Sequence, residues 1–172
     1  QYIEAGQEYR NFLDLHPVHE KASYAQYRIA LCFFRQIDSV DRDMDPSYKA
    51  LDAFQALLSV YPQNPYETDA RDKIHFIQNK LAEREFYVGK FYFRKKSHEA
   101  AIERFKNVLK TYPGSPAAET SLYYLGLAYE ASGASSEAME SLKTLLRDYP
   151  ETSYKGEAST ALDRLNGKAK AL

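Results

Sequence analysis

Reactive and special-purpose residues are scarce in this 172-residue chain, which has one cysteine and no tryptophan. The single cysteine, Cys32, excludes an internal disulfide and says little about the redox compartment. No apolar run approaches the ~18 residues that a membrane-spanning helix requires. Basic and acidic residues number 23 and 24, so the net charge is −1 and no overall field favours nucleic acid or an anionic membrane.

Sequence signatures of catalysis and metal binding are missing as well. The chain has no Gly-rich phosphate loop, no Gly-x-Ser-x-Gly elbow and no Cys-x-x-Cys pair. Its histidines are scattered: His16 and His19 flank one helix exit, while His75 and His98 lie on separate predicted helices. We therefore predict no enzyme, no cofactor and no bound metal, and we interpret Cys32 as a buried, inert thiol.

What the sequence does contain is a repeated pattern in which an apolar helix ends in an aromatic residue and a proline. The pairs are His16-Pro17, Tyr61-Pro62, Tyr112-Pro113 and Tyr149-Pro150. Gly89 and Gly126 stand at the same distance before their prolines, and Ala30 takes that place one unit earlier. A small residue in the first helix and a proline at the exit of the second are typical of tetratricopeptide (TPR) pairs. We predict an all-α, TPR-type solenoid of helical hairpins with a C-terminal capping helix.

The proline spacing divides the predicted solenoid, 1–172, into units of unequal length. They are a half unit at 1–17, units at 18–62, 63–113 and 114–150, and a capping helix at 153–165. The first complete unit carries an inserted loop at 37–46, and the next carries an overlong helix at 66–94. Because two added heptads keep an apolar face in phase, we expect one buried face formed by Ala70, Ile74, Ile77, Leu81, Val88 and Phe91.

Local signals place the helix ends. The predicted N-caps are polar residues before a proline or an amphipathic run, namely Asp45, Asn64, Ser97, Ser115 and Ser135. Gly133 is a predicted C-terminal stop, since glycine adopts the left-handed conformation that ends many helices.

A TPR array presents a groove lined by the first helix of each unit. The predicted lining is largely aromatic: Tyr24, Tyr27, Leu31 and Phe34 in one unit, Phe86 and Phe93 in the next, and Tyr123 and Leu127 in the last. Such a groove could seat the apolar anchors of a peptide. The alternative is that the overlong helix folds back and fills the groove itself.

Two charged segments are candidate contact sites. A basic cluster includes Lys90, Arg94, Lys95, Lys96 and Arg104, and it is either a solvated helical surface or a docking surface for an acidic partner. The inserted loop carries Asp41, Arg42 and Asp43, whose alternating acids suit calcium, yet Pro46 and Asp52 stand where a calcium loop has Gly and Glu. A solvated loop and a partner-contact loop are the other interpretations.

The order of these irregularities resembles the BamD family, the TPR lipoproteins of the bacterial outer-membrane protein assembly machinery. The resemblance rests on the loop with Asp41-Arg-Asp43, the overlong helix with Leu81-Ala-Glu-Arg-Glu-Phe-Tyr-Val-Gly89, and the helix with Ala100-Ala-Ile-Glu-Arg-Phe105. It covers essentially the whole chain. A different cell-envelope TPR adaptor, such as a cell-division coordinator, is the alternative, although those arrays usually keep regular repeats.

The resemblance implies a non-enzymatic scaffold on the periplasmic face of the outer membrane. Its implied partners are the POTRA repeats of the barrel-forming assembly subunit, other assembly lipoproteins and unfolded outer-membrane protein substrates, and they do not include nucleic acid. Arg104 matches a family arginine implicated in the POTRA contact. The chain opens inside a helix, so we expect the family's signal peptide and lipid-anchored cysteine to lie upstream of it.

Overall fold

The described part of the protein is built from α-helices. A computed structural model describes residues 2–37 and 44–170, which form eight α-helices. They are α1 (Tyr2–Leu15), α2 (Ala22–Phe34), α3 (Asp45–Val60), α4 (Glu67–Arg94), α5 (His98–Thr111), α6 (Pro116–Ser132), α7 (Ser135–Asp148) and α8 (Lys155–Lys170). The predicted all-α, TPR-type class is confirmed, and the overlong helix is α4, with 28 residues in one piece.

The chain divides into two compact units, Gln1–Leu81 and Ala82–Leu172, with the boundary inside α4. Unit 1 contains α1, α2, α3 and the first half of α4, and unit 2 contains the second half of α4 and α5 to α8. In unit 1, α1 packs on α2 and α2 on α3, while in unit 2 α5, α6, α7 and α8 pack in sequence. The division into repeat units predicted from the proline spacing stays a prediction.

The aromatic-proline pairs end three helices in the same way. Tyr61, Tyr112 and Tyr149 are the C-caps of α3, α5 and α7, with φ of −122°, −131° and −128°. A residue before proline is disfavoured in the helical conformation, so the backbone leaves the helix at the tyrosine. Each tyrosine N–H still donates to the carbonyl four residues earlier, on Leu57, Val108 and Leu145.

Glycines at the predicted small-residue positions allow two close helix contacts in unit 2. A Cβ atom added at Gly89 would lie 2.7 Å from Cε1 of Phe105 on α5, and one at Gly126 would lie 2.7 Å from Cγ of Leu142 on α7. Both distances are shorter than real Cβ contacts. The corresponding position in unit 1, Ala30, is fully buried.

Each unit buries its own apolar side chains. In unit 1 the fully buried residues include Ala50, Phe54 and Leu57 of α3. In unit 2 they include Phe105 and Val108 of α5, Leu142 and Leu145 of α7, and Leu165 of α8. Burial of each large side chain contributes about 1.5–3 kcal/mol of transfer free energy, so these clusters hold the hairpins together.

Helix α4 buries different faces in its two halves, which corrects the prediction of one continuous buried face. Its first half buries Ala70, Ile77 and Leu81, whereas its second half buries Ala82, Phe86 and Gly89. Leu81 and Phe86 are five residues apart and therefore about 140° apart around the helix. Phe91, expected on the buried face, is 49% exposed, and Val88 is half-buried.

Most predicted helix ends lie within two residues of the observed ones. Ser97 and Ser115 stand at the predicted N-cap positions, although neither side chain makes a capping hydrogen bond. Gly133 is the C-cap of α6 as predicted, with a φ of +87°. Two N-caps lie one residue earlier than predicted, at Met44 and Ala134, so Asp45 and Ser135 are the first residues of their helices. Asn64 accepts a hydrogen bond from the Tyr66 N–H at 2.9 Å but stands three residues before the start of α4. The capping helix begins at Lys155 and continues beyond the predicted end at 165.

The close contact at Gly89 predicts that Gly89→Ala destabilises unit 2. Alanine is intrinsically the better helix former, but the added methyl group meets the fully buried Phe105 ring, and such overpacking costs about 1–3 kcal/mol. Thermal unfolding followed by circular dichroism should therefore show a lower Tm.

Gly156→Ala in α8 is the matched control, because a Cβ there has no other atom within 4 Å. Its Tm should stay the same or rise, since the exposed helix position gains about 0.5–1 kcal/mol from the change. Equal effects of the two substitutions would show that helix propensity, and not close packing, decides the outcome at Gly89.

Candidate protein-docking surfaces

Arg104 is anchored by a side chain that the sequence analysis did not identify. Its Nη1 atom lies 3.2 Å from Oε1 and 3.4 Å from Oε2 of Glu85 on α4. The Nδ2 atom of Asn107 donates to the same Oε1 at 2.9 Å. The Glu85 side chain is 16% exposed and that of Arg104 is 46% exposed. The carboxylate is therefore the fixed, sheltered member of the group, and the guanidinium reaches outward from it.

The predicted basic cluster does not form one surface. The Nζ atom of Lys90 lies 5.9 Å from the centre of the Phe86 ring and 5.2 Å from that of Tyr124. Lys90 follows Glu85 by five residues, so the two side chains leave α4 about 140° apart. Lys90 thus lies on the aromatic side of α4, whereas Arg104 of α5 contacts a different side of α4 through Glu85.

The remaining basic residues lie at the C-terminal end of α4. Arg94, Lys95 and Lys96 are all exposed, and Lys96 has a left-handed φ of +60°. The Nζ atom of Lys95 lies 5.9 Å from the centre of the Phe91 ring. This end of the helix carries positive charge beside an exposed aromatic ring.

Three of the groove residues predicted in unit 1 contact aromatic rings at the start of α4 or within its first half. Tyr27 stacks on Tyr66 with ring centres 4.4 Å apart and an angle of 9° between the rings, and Tyr24 lies 6.0 Å from the same ring. Phe34 packs edge-on against Phe76 at 5.6 Å. Leu31 is half-buried, and Tyr24, at 37% exposed, is the most open of the four. Three of the four predicted groove residues thus contact Tyr66 or Phe76, and whether the groove is open to a ligand stays a prediction.

Three of the groove residues predicted in unit 2 likewise contact other aromatic rings, namely those of Tyr124 and Tyr154. Phe86 is buried and packs on Tyr124, while Phe93 packs edge-on against the same ring at 5.8 Å. Tyr123 stacks on Tyr154 with ring centres 4.4 Å apart and an angle of 12°. Leu127 is half-buried. Binding of a peptide in this groove stays a prediction, and it would have to compete with these contacts.

The two stacked pairs are equivalent positions of the repeat. Tyr27 and Tyr123 each stand three residues before the small residue of their helix, Ala30 and Gly126. Their partners, Tyr66 and Tyr154, each follow the proline of the aromatic-proline pair by four residues. That recurrence was visible in the sequence and could have identified Tyr66 and Tyr154 as structural contacts.

Tyr27 also belongs to a polar network in unit 1. Its hydroxyl donates to Oδ2 of Asp69 at 2.6 Å, and Nζ of Lys73 donates to Oδ1 at 2.6 Å. Burial and the hydrogen bond to the Asp69 carboxylate raise the pKa of Tyr27 to about 12. Burial alone would raise the pKa of Asp69, but the hydrogen bonds from Lys73 and Tyr27 lower it below its ordinary value.

With this geometry in place, comparison with known proteins identifies the family. The family model described as YfiO, outer membrane lipoprotein, matches residues 1–139. The chain belongs to this family.

Curated relatives agree with the YfiO family assignment. They bear the name outer membrane protein assembly factor BamD, and three of them serve as examples. The protein from Caulobacter vibrioides is 35% identical over 150 residues, which are 87% of this chain and 49% of that protein. The protein from Rickettsia prowazekii is 31% identical, covering 90% and 61%, and that from Vibrio cholerae is 35% identical, covering 81% and 61%. The chain spans about half to three fifths of the length of these relatives.

The remaining predictions concern the inserted loop, the single cysteine, membrane-spanning helices and metal binding. Asp41, Arg42 and Asp43 lie outside the described residues, so their contact role stays a prediction. Cys32 is buried. Within residues 2–37 and 44–170, no helix combines the length and hydropathy needed to cross a membrane. The same ranges contain no cluster of three or more His, Cys, Asp or Glu side chains suited to a metal ion.

The Tyr27–Asp69 hydrogen bond predicts an alkaline loss of stability. Below the ordinary tyrosine pKa of ~10 the phenol is protonated in both the folded and the unfolded chain. Its full contribution to the free energy of unfolding is then present. As pH rises from ~10 towards the folded value of about 12, the unfolded chain ionises first and unfolding becomes easier. Between about pH 8 and about pH 11, the free energy of unfolding measured by urea denaturation should fall more for wild type than for Tyr27→Phe.

Tyr48→Phe provides the control, because Tyr48 is an exposed tyrosine of α3 in the same unit. It should keep the wild-type pH profile. If Tyr27→Phe loses as much stability as wild type over this range, ionisation of the half-buried, hydrogen-bonded Tyr27 does not contribute to the alkaline transition.

Proposed function

We propose that this chain is a non-enzymatic scaffold of outer-membrane protein assembly. Its second unit docks through Arg104 on an acidic surface of the POTRA repeats of the barrel-forming subunit. The names of the relatives and the lipoprotein family support the assembly role. The arrangement around Arg104 is the observation that carries the docking proposal.

The geometry of Arg104 leaves its best carboxylate-binding edge available. Only Nη1 is engaged by Glu85, and no described residue hydrogen-bonds to Nε or Nη2. These two donors form the fork that binds a carboxylate with two parallel hydrogen bonds. An acidic residue of a partner could bind there without displacing Glu85.

The surroundings of Arg104 suit a protein contact better than a chemical site. A shallow depression lined by Glu85, Tyr92, Ala100, Glu103, Arg104 and Asn107 surrounds the guanidinium. Tyr92 offers a half-buried aromatic ring beside the charge, a combination that is frequent at interface hot spots. The aromatic groove offers less support for docking, because most of its rings already contact other aromatic side chains, namely Tyr66, Phe76, Tyr124 and Tyr154.

The test is the affinity of the full chain for purified POTRA repeats of the cognate assembly subunit, measured by calorimetry. Arg104→Glu reverses the charge that would face the partner, so we expect Kd to rise at least tenfold, which is about 1.4 kcal/mol. Higher salt should weaken wild-type binding more than binding by the variant.

Arg147→Glu is the matched control. Arg147 is an exposed arginine of α7 that pairs with Asp148, so its reversal also places two acids side by side. This variant should bind POTRA repeats as wild type does. Equal affinities of wild type and Arg104→Glu, with both proteins folded by circular dichroism, would rule out the Arg104 surface.

Glu85 tests whether Arg104 is positioned in advance. Glu85→Gln keeps the size of the side chain and removes the charge that holds the guanidinium. If pre-positioning matters, ordering Arg104 upon binding costs about 0.5–1.5 kcal/mol, so POTRA affinity should fall about two- to tenfold. If Glu85 instead competes with the partner carboxylate, the same substitution should increase affinity, so the sign of the change decides between the two.

A further inference from the structure

The outer face of α4 in unit 2 carries exposed aromatic side chains. Tyr87 and Phe91 are 54% and 49% exposed and stand one turn apart. In the described part of the chain their ring contacts are to sequence neighbours, Tyr87 with Phe86 and Phe91 with Tyr92. Phe91 follows Phe86 by five residues, so it points about 140° away from the buried side of this half of the helix. We call Arg84, Tyr87, Val88, Phe91 and Lys95 the α4 ridge.

The ridge continues a face that unit 1 buries. Val88 follows Leu81 by seven residues, so the two lie on nearly the same side of α4. In the first half of the helix this face is packed, since Ala70, Ile77 and Leu81 are all buried. A face that leaves a packed interface for solvent ordinarily becomes polar. Here it carries two exposed aromatic rings and a half-buried valine between two cations, a combination that favours an interaction surface.

Positive charge surrounds the aromatic pair. Arg84, Arg94 and Lys95 are exposed, and none has an ion-pair partner among residues 2–37 and 44–167. The Nζ atom of Lys95 lies 5.9 Å from the centre of the Phe91 ring. The nearby acid Glu85 is already engaged by Arg104 and Asn107, and Glu83 stands at the edge of the ridge. A complementary partner therefore carries negative charge beside an apolar strip.

We propose that the α4 ridge docks an acidic amphipathic helix of another protein. Arg84 and Lys95 are eleven residues apart, or roughly 16 Å along the axis, which is about three helical turns. A partner helix of that length could place its apolar strip on Tyr87, Val88 and Phe91. Its flanking carboxylates would then meet Arg84 at one end and Arg94 and Lys95 at the other.

A lipid surface is the less favoured occupant. A helix that lies in a membrane interface needs a broad apolar face along its length. The ridge offers two aromatic rings and one half-buried valine, and the other side of the same helix is packed against α5 through Gly89 and Phe105. Two aromatic side chains with cations on either side match the narrow apolar face of an amphipathic partner helix better than a broad lipid surface.

The test uses a fluorescein-labelled helical peptide of about 18 residues, or ~27 Å, with leucines along one strip and glutamates on both flanks. Fluorescence anisotropy against the full chain should show saturable binding that weakens with added salt. The double variant Tyr87→Ala/Phe91→Ala should weaken it by more than ~10-fold, as expected when the aromatic centre of an interface is removed. Arg84→Glu/Lys95→Glu should weaken it and lower its salt dependence.

Three comparisons make the result decisive. Tyr48→Ala, at a comparably exposed tyrosine of α3, should bind the peptide as wild type does. A peptide with lysine in place of every glutamate should not bind. Vesicles containing anionic lipid should bind wild type and the double variant equally or not at all. No saturable binding of the acidic peptide, equal binding by the double variant, or loss of vesicle binding with retention of peptide binding would each overturn the proposal.

Discussion

Helix α4 contributes side chains to the cores of two compact units, and that constraint explains most of what is unusual in the chain. Its 28 residues form one uninterrupted helix, so the position of each residue in the sequence fixes the side of the helix on which it lies. The two cores therefore select different sides of it, with Leu81 and Phe86 about 140° apart. Residues that belong to the first side but lie along the second core, such as Val88 and Phe91, are left at the surface. The exposure of Phe91 in the second half of α4 follows from this change of buried side.

The high aromatic content serves contacts between helices more than an open groove. Tyr27 with Tyr66 and Tyr123 with Tyr154 repeat one stacking arrangement at equivalent repeat positions. At the intermediate position the pair is replaced by Phe86 and Ala117, and the space beside Phe86 is taken by Tyr124. Offset-stacked rings add about 0.5–1.5 kcal/mol beyond their burial, which favours a fixed spacing between successive first helices. Rings used in this way have little face left for a ligand.

Sequence reasoning succeeded where a local rule decides the outcome and failed where packing between elements decides it. Proline forces the preceding tyrosine out of the helix, and only glycine fits opposite Phe105 and Leu142, so helix ends and close contacts were predictable. The spacing of prolines and small residues predicted the length of α4. Helical periodicity then assumed one buried side, because a period carries no information about which neighbour packs on which turn. The role of Glu85 was hidden for the same reason: it pairs with Arg104, nineteen residues away on another helix. The functional family was within reach only because irregularities in the repeat are more distinctive than the repeat.

The basic residues that cluster in the sequence separate into distinct surfaces once they are placed on helices. Glu85, which holds Arg104, and Phe91, which lies beneath Lys95, leave α4 about 120° apart. Lys90 takes a third direction, over Phe86 and Tyr124. A partner on one of these surfaces would leave the others accessible. Separate surfaces with separate chemistry are what distinguish a scaffold from a receptor with one pocket, because each partner can then be gained or lost without displacing the next. If both docking proposals hold, Arg104→Glu should leave binding of the acidic peptide to the α4 ridge unchanged. Likewise, Tyr87→Ala/Phe91→Ala should leave the affinity for POTRA repeats unchanged.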